Sequence, residues 1–315
     1  MKRVLTFLVI IQILALGTAY AIAPPKSGKI PKHLLPYFEQ LSKEYNQGYW
    51  AEQMQRRAAM RATFGKSAQL MKIDTAFLPV LLGKYSNSTN YHSQAAFQAH
   101  LFDGPNPTGT LTQYYMEISY DQYYLTGQAL GWFKCARTFD YYVHDGGDRN
   151  VGLVYGGKDF TIDLLVVADE TVDFSKFVKY TDSEGAHVPI LNIVHTGADA
   201  ASGADNIWSH RSSIRNRLLT RKNSGTETIV DVSRILSNGH YRTNDTYNGL
   251  SVIIDGDYAI QPEMEGSVNT GGALKPIGVF AHEYGHVLGL PDLYDRTNKS
   301  EGVGNWCLMA SGSYG

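Results

Sequence analysis

One stretch near the end of the chain constrains its folding more than any other: Phe280-Ala281-His282-Glu283-Tyr284-Gly285-His286-Val287-Leu288-Gly289-Leu290-Pro291-Asp292. On a helix, His282 and His286 are four residues apart and project from one face, so their ring nitrogens can meet at a single ion. Glu283 stands beside the first His, within reach of a water at that ion without being needed as a ligand. H-E-x-x-H in this form is the pattern of a zinc hydrolase: two neutral imidazoles hold Zn²⁺, the metal acidifies water, and the carboxylate takes the proton. A surface helix with two incidental histidines would carry no particular residues downstream. Here Gly289 can take positive φ and stop the helix, Pro291 keeps it from resuming, and Asp292 is carried back under the metal as third ligand. Asp295 and Glu301 are the other carboxylates within reach; Asp292 is favoured because the Gly turn has no other evident purpose.

The beginning of the chain reads as an export signal. Met1-Lys2-Arg3 is basic, Val4 to Gly17 is a short apolar core, and Ala19-Tyr20-Ala21 supplies small residues for cleavage, which puts the signal peptide at residues 1–21. Ala21-Ile22-Ala23 offers a second cut. The apolar run is shorter than the ~20 residues of a spanning helix, so the expectation is a secreted protein, extracellular or periplasmic, that meets no membrane after signal removal. A net charge of −2 gives no reason to expect a nucleic-acid partner.

Residues 22–73 differ in composition from residues 74–315. Pro24-Pro25-Lys26-Ser27-Gly28 is linker-like; Leu34, Leu35, Phe38, Leu41 and Tyr45 fall at helical spacing; Ala51 to Lys72 is polar, basic and rich in helix formers. This is either a helical pro-segment that shields the cleft until export or an ordinary helical cap. The two cysteines, Cys135 and Cys307, lie outside it, so latency by a thiolate on the zinc is not available. Whether those two pair is left open by spacing alone.

From residue 74 onward the chain reads as one domain. Phe77 to Gly83, Tyr123 to Trp132 and Val188 to His195 read as strands; Ser93 to Asp103 and Leu111 to Ser119 read as helices. Asp159 to Glu170 fits strand or helix. Residues 215–250 are polar and turn-rich, and Tyr258 to Gln261 reads as a short strand before the metal helix, which is entered through Pro276. His195 and His210 each adjoin an apolar run, the usual setting of a hydrogen-bonded structural histidine, and neither is placed in the site.

His282 to Asp295 (HEYGHVLGLPDLYD), then Gly302 to Met309 (GVGNWCLM) and Ala310 to Tyr314, resemble the immune inhibitor A family of zinc metallopeptidases. Weaker matches are Tyr114 to Ser119, Ile207 to Arg211 and Tyr258 to Pro262. The resemblance spans residues 77–315 and implies a metzincin-like fold, α/β of the α+β kind, with a twisted mixed sheet over the zinc helix and Met309 as a hydrophobic floor. It implies a secreted zinc endopeptidase acting on proteins or peptides. The alternative is an inactive adhesion or binding module on the same fold, against which the intact Glu283 stands. The family's acidic, calcium-like loop corresponds to Thr181 to Val188, which has too few well-spaced carboxylates for a Ca²⁺ site. The chain ends soon after Met309, so residues 74–315 read as a catalytic domain truncated at its C-terminus.

Overall fold

The computed structural model describes residues 21–36, 74–145, 156–224, 230–300 and 302–314. The signal segment up to residue 20, most of the expected pro-segment (37–73) and Glu301 lie outside the described residues.

Alternation of side chains along buried strands needs cover on both faces of the sheet, and the molecule supplies it as three layers. The sheet has eight strands: β1 (Ala21–Ile22), β2 (Asp74–Lys84), β3 (Tyr123–Lys134), β4 (Tyr180–Thr181), β5 (Ala186–Ala198), β6 (His210–Ser213), β7 (Tyr241–Tyr247) and β8 (Leu250–Met264). Its order is β1-β6-β8-β5-β2-β3, with β4 added to β5 and β7 added to β8. The centre is parallel, β8-β5-β2-β3, whereas β6 runs antiparallel to β8 and β1 antiparallel to β6. This is a mixed sheet, as expected.

Leu81, Leu191, Ile193, Ile254 and Ile260 face one side, where Phe160, Ile162 and Leu164 of helix α3 (Gly156–Ala168) cover them. Val80, Leu82, Leu125 and Val194 face the other, under Phe97 of α1 (Gln94–Gln98), Tyr115 of α2 (Leu111–Ile118) and Phe280 and Tyr284 of α5 (Ile277–Val287). Thr110 closes a capping box with Gln113 at the start of α2, which fixes where that helix begins. The expected helix over Ser93 to Asp103 is α1 running into a π-helical turn at Ala99–Asp103.

Three segments decide or correct an expectation. Asp159 to Glu170, which fitted either element, is helix through Ala168. Residues 215–250 are not simply turns: α4 (Arg215–Ser224) and β7 occupy them. The apolar signal is absent because α4 buries Arg221 beside Leu218, and Arg221 reaches Asp159 at 2.8 Å and Asp163 at 2.9 Å. A buried ion pair replaces the hydrophobic stripe that periodicity would detect. The short strand expected at Tyr258 to Gln261 is the core of a 15-residue strand. Asp255 and Asp257 interrupt its apolar run and are held by His187 and by Arg211 and Arg215.

Candidate active site

Helix α5 crosses one face of the sheet, and its neighbours hold it on three sides. Tyr115 of α2 donates its hydroxyl to the Ala281 carbonyl at 2.7 Å, and the hydroxyls of Tyr123 and Tyr284 bond at 2.5 Å. Pro276 caps the first turn; the last is closed by Gly289, at φ 86°, with the Leu290 amide donating to the Gly285 carbonyl at 3.0 Å. Gly289 thus performs the chain reversal expected of it, and residues 290–292 fold back beneath the helix.

His282, His286 and Asp292 are brought together. The two Nε2 atoms are 3.0 Å apart, and each lies 3.1 Å from Asp292 Oδ1. All three side chains are buried, at 0%, 0% and 2% exposure. The protons are turned away from the triangle. His282 Nδ1 donates to the Leu308 carbonyl at 2.7 Å and His286 Nδ1 to the Leu290 carbonyl at 2.8 Å, which leaves Nε2 of each neutral ring as a bare lone pair. Burial lowers the His286 pKa, against the pull of Asp292. Three lone-pair atoms facing one another repel unless a cation sits among them. The nearly equilateral spacing matches the ~3.3 Å edge of a tetrahedron with zinc bonds of ~2.0–2.1 Å. The residues present therefore fit a bound metal.

Asp292 is itself oriented by Arg296, whose guanidinium grips its second oxygen. Burial would raise this carboxyl, but His286 and Arg296 outweigh it and hold the pKa well below the ordinary range. Asp295 goes elsewhere: it accepts from the backbone amides of Thr297, Lys299 and Ser300 at 2.7–2.8 Å and organises its own turn.

Glu283 is fully buried, and neither carboxylate oxygen has a hydrogen-bond partner among the described residues. Burial first, then the charges of Asp292 and Asp199, push its pKa well above the usual carboxylate range. A cation between the three donors would pull it back. Met309, buried at 3%, lies under α5: a Cβ at Gly285 would stand 2.6 Å from its sulfur. It is a floor to the helix, and the same turn contributes the Leu308 carbonyl that sets the His282 tautomer. His195 and His210 are not among the converging donors. Both are buried, hydrogen-bonded to the Thr196 and Trp208 carbonyls, and pushed down to about 4 by burial.

The N-terminal segment, read from sequence as a shield over the cleft or an ordinary cap, adjoins this neighbourhood through its residues 21–34. β1 pairs antiparallel with β6, and the Ala23 amide donates to the Ser209 carbonyl at 3.0 Å. The Ala23 amide also lies close enough to Glu283 to favour its carboxylate, although its hydrogen bond of ordinary geometry goes to Ser209. The Ala23 carbonyl accepts from the Trp208 indole at 2.9 Å, and the Pro24 carbonyl from the Tyr314 hydroxyl at 2.8 Å. Ile30 exchanges two hydrogen bonds of 2.9 Å with the Asn298 side chain. Ala23, Ile30 and Leu34 are buried with Trp208 and Val279. The linker-like composition of Pro24 to Gly28 concealed this, because much of the holding is through backbone amides and carbonyls.

The profile of the family described as "Immune inhibitor A peptidase M6, catalytic domain" matches residues 72–315. The chain belongs to the immune inhibitor A peptidase M6 family. Among similar proteins, the "Pre-pro-metalloprotease PrtV" of Vibrio cholerae serotype O1 (strain M66-2) is 29% identical over 255 residues, covering 75% of this chain and 24% of that protein. The "Immune inhibitor A" of Bacillus thuringiensis subsp. alesti is 29% identical over 225 residues, covering 65% of this chain and 28% of its own length. The chain thus spans about a quarter of the length of these relatives. It is a metallopeptidase by family. No helix among the described residues is long and apolar enough to cross a membrane. Cys135, buried between Tyr85 and Tyr142, and Cys307, in the Met309 turn, are both free thiols.

Proposed function

We propose that this chain carries a zinc-dependent endopeptidase centre for secreted action on proteins or peptides, with His282, His286 and Asp292 as metal ligands and Glu283 as general base. The observation that carries the reading is the triangle of proton-free donors beside a buried carboxylate with no other bond to make. Zinc held there supplies a Lewis acid that acidifies water and polarises the scissile carbonyl. Asp292, fixed by Arg296, and the two imidazoles, fixed by the Leu308 and Leu290 carbonyls, keep the donor set preorganised. Glu283 takes the proton from water as it attacks, holds it at a carboxylate oxygen, and delivers it to the departing amine. Excluding water from Glu283 strengthens its basicity, which suits a group that must accept a proton near neutral pH. The substrate backbone would add to β6 as an antiparallel strand, the position that β1 occupies.

That coincidence supports reading residues 22–73 as a pro-segment. Residues 22–34 cover the β6 edge and reach Glu283 by a route that involves no cysteine. The words "pre-pro" in the name of the Vibrio relative agree with a signal followed by a pro-segment, here residues 1–21 and 22–73. The deciding assay is proteolysis by the purified, processed chain with and without a chelator, followed by zinc add-back. Activity that survives chelation sinks the metal reading. Expression with and without residues 22–73 tests latency: unfolded protein on deletion would make the segment an integral part of the domain.

A further inference from the structure

At the other end of the central strands lies a second convergence of imidazole and carboxylate. His187 is the second residue of β5, whereas Asp199, which acts on Glu283, stands just past its last. The whole 13-residue strand, on the order of 40 Å, separates the two centres. His187 Nδ1 lies 2.6 Å from Asp255 Oδ1 on β8, and its Nε2 lies 2.9 Å from Asp182 Oδ1. His240, just before β7, brings Nδ1 to 4.0 Å from the same Asp255 oxygen and 3.7 Å from Glu184 Oε2. One ligand atom from each of His187, His240 and Asp255 falls within 4.8 Å of the others.

The surroundings orient these groups. Tyr180 stacks on the His187 ring at 4.6 Å, with planes 2° apart, and donates its hydroxyl to Asp255 Oδ2 at 2.7 Å. Asp182 is fixed by the amides of Glu184 and Gly185 at 2.7 and 3.2 Å. Asn238 donates to Glu184 Oε2 at 2.8 Å. His187 is almost fully buried at 1% exposure, while Glu184, at 49%, opens the cluster to solvent on one side.

We propose that His187, His240 and Asp255 form a second metal site, with Glu184 as fourth ligand, for a zinc-like divalent transition ion. Two imidazoles and two carboxylates are a donor set for Zn²⁺, Co²⁺ or Ni²⁺; calcium requires six to eight oxygens, and this cluster does not offer them. The ion replaces the proton shared by His187 Nδ1 and Asp255 and releases it to solvent, while His187 keeps its other N–H on Asp182. That hydrogen bond is the carboxylate–histidine–metal relation that fixes tautomer and ring orientation in metal centres. Two carboxylates then balance the divalent charge. To reach a ligand edge of ~3.3 Å, the 4.0 Å separation closes by a rotation of His240 away from the Asn238 amide, 3.1 Å from its Nδ1, and the 2.6 Å contact of His187 with Asp255 opens as the ion takes the place of the proton. The ion would tie the turn at 182–185, β5, β7 and β8 together at the end of the sheet away from Asp199.

The experiment uses the full chain bearing His282→Ala and His286→Ala, which removes the helix ligands. Titration with Co²⁺, read by its visible absorption and by metal analysis after gel filtration, should give one bound ion per chain with the intense bands of a four-coordinate centre. Adding His240→Ala should weaken that binding by roughly a hundredfold or more, beyond the 10–100-fold that accompanies loss of a mere outer partner. If that variant fails to fold by circular dichroism, Asp255→Asn, which preserves shape, is measured instead with the same expectation. No bound Co²⁺ in the helix-site variant, undiminished binding after His240→Ala or Asp255→Asn, or displacement by equimolar Ca²⁺ would each overturn the proposal.

Discussion

Two clusters of two histidines and an aspartate lie at opposite ends of this sheet, and they are made in different ways. His282 and His286 come from one helix, and Asp292 joins them within a single chain reversal. His187, His240 and Asp255 come from three separate strands or their edges, and only the parallel pairing of β5 with β8 and the antiparallel pairing of β7 with β8 brings them together. Their partners differ as well. Every carboxylate of the strand cluster is engaged in hydrogen bonds, whereas the helix cluster keeps Glu283 buried with both oxygens unpartnered. A group left without a partner at a cost in stability is a group reserved for chemistry; a fully bonded cluster holds structure together.

The sharpest way to break this contrast is at Glu283. Glu283→Ala should lower peptide hydrolysis by about 10²–10⁴ while leaving the metal content unchanged. Near-normal turnover with full metal would erase the distinction, since the helix centre would then lack its special base. Next in size is the ligand set itself. Asp292→Ala should weaken metal binding by at least roughly a hundredfold, more than the loss of an outer partner would, whereas Asp295→Ala should leave it nearly unchanged. Gly289→Val should behave like Asp292→Ala, because a β-branched residue at φ 86° disturbs the reversal without touching a ligand. Zinc titrations of the three variants compare them directly.

How much of each cluster could be read from the sequence depends on how each is built. His282, Glu283, His286 and the Gly289 turn were legible because a helix turns fixed spacing into fixed geometry within a dozen residues; Met309 was read only through the family resemblance. The strand cluster was not: His187 and Asp255 are far apart in sequence, and strand register decides whether they meet. The loop Thr181 to Val188 was weighed only for carboxylates, so the imidazole at its end was passed over. The strands from Val188 and Phe77 were legible as apolar runs; α4 was not, because its buried face is arginine satisfied by Asp159 and Asp163. The contact of Ala23 and Pro24 with the site left no mark on composition, since backbone amides and carbonyls carry it.

Smaller effects refine the comparison. Gly285→Ala would put a methyl 2.6 Å from the Met309 sulfur, so the Met309 side chain must give way, and with it the packing of the turn that sets the His282 tautomer. The expected cost is about 1–3 kcal/mol, read from denaturant midpoints, together with weaker metal binding. Stability loss with metal affinity untouched would show that the floor and the ligands are uncoupled. A further effect, which touches neither site, belongs to histidines outside both clusters. His195 and His210 sit at about 4 in the fold against ~6.5 when unfolded. The unfolded chain therefore binds more protons between those values, and stability falls as pH falls from about 6.5 toward 4. A melting temperature that is flat from pH 7 to pH 5 would contradict their burial as neutral rings.

The pairing of β1 with β6 has a kinetic meaning beyond its hydrogen bonds. A strand joined to its own domain meets the cleft at an effective concentration that no dilution alters, on the order of millimolar. A peptide arriving from solution at micromolar concentration would compete at a disadvantage of about a thousandfold, however well it fits β6. Cutting the chain after the segment changes no contact, yet it turns a permanent neighbour into an ordinary solute that leaves once and is diluted away. On the latent reading, a single cleavage anywhere between residues 36 and 74 is therefore enough to make activation irreversible.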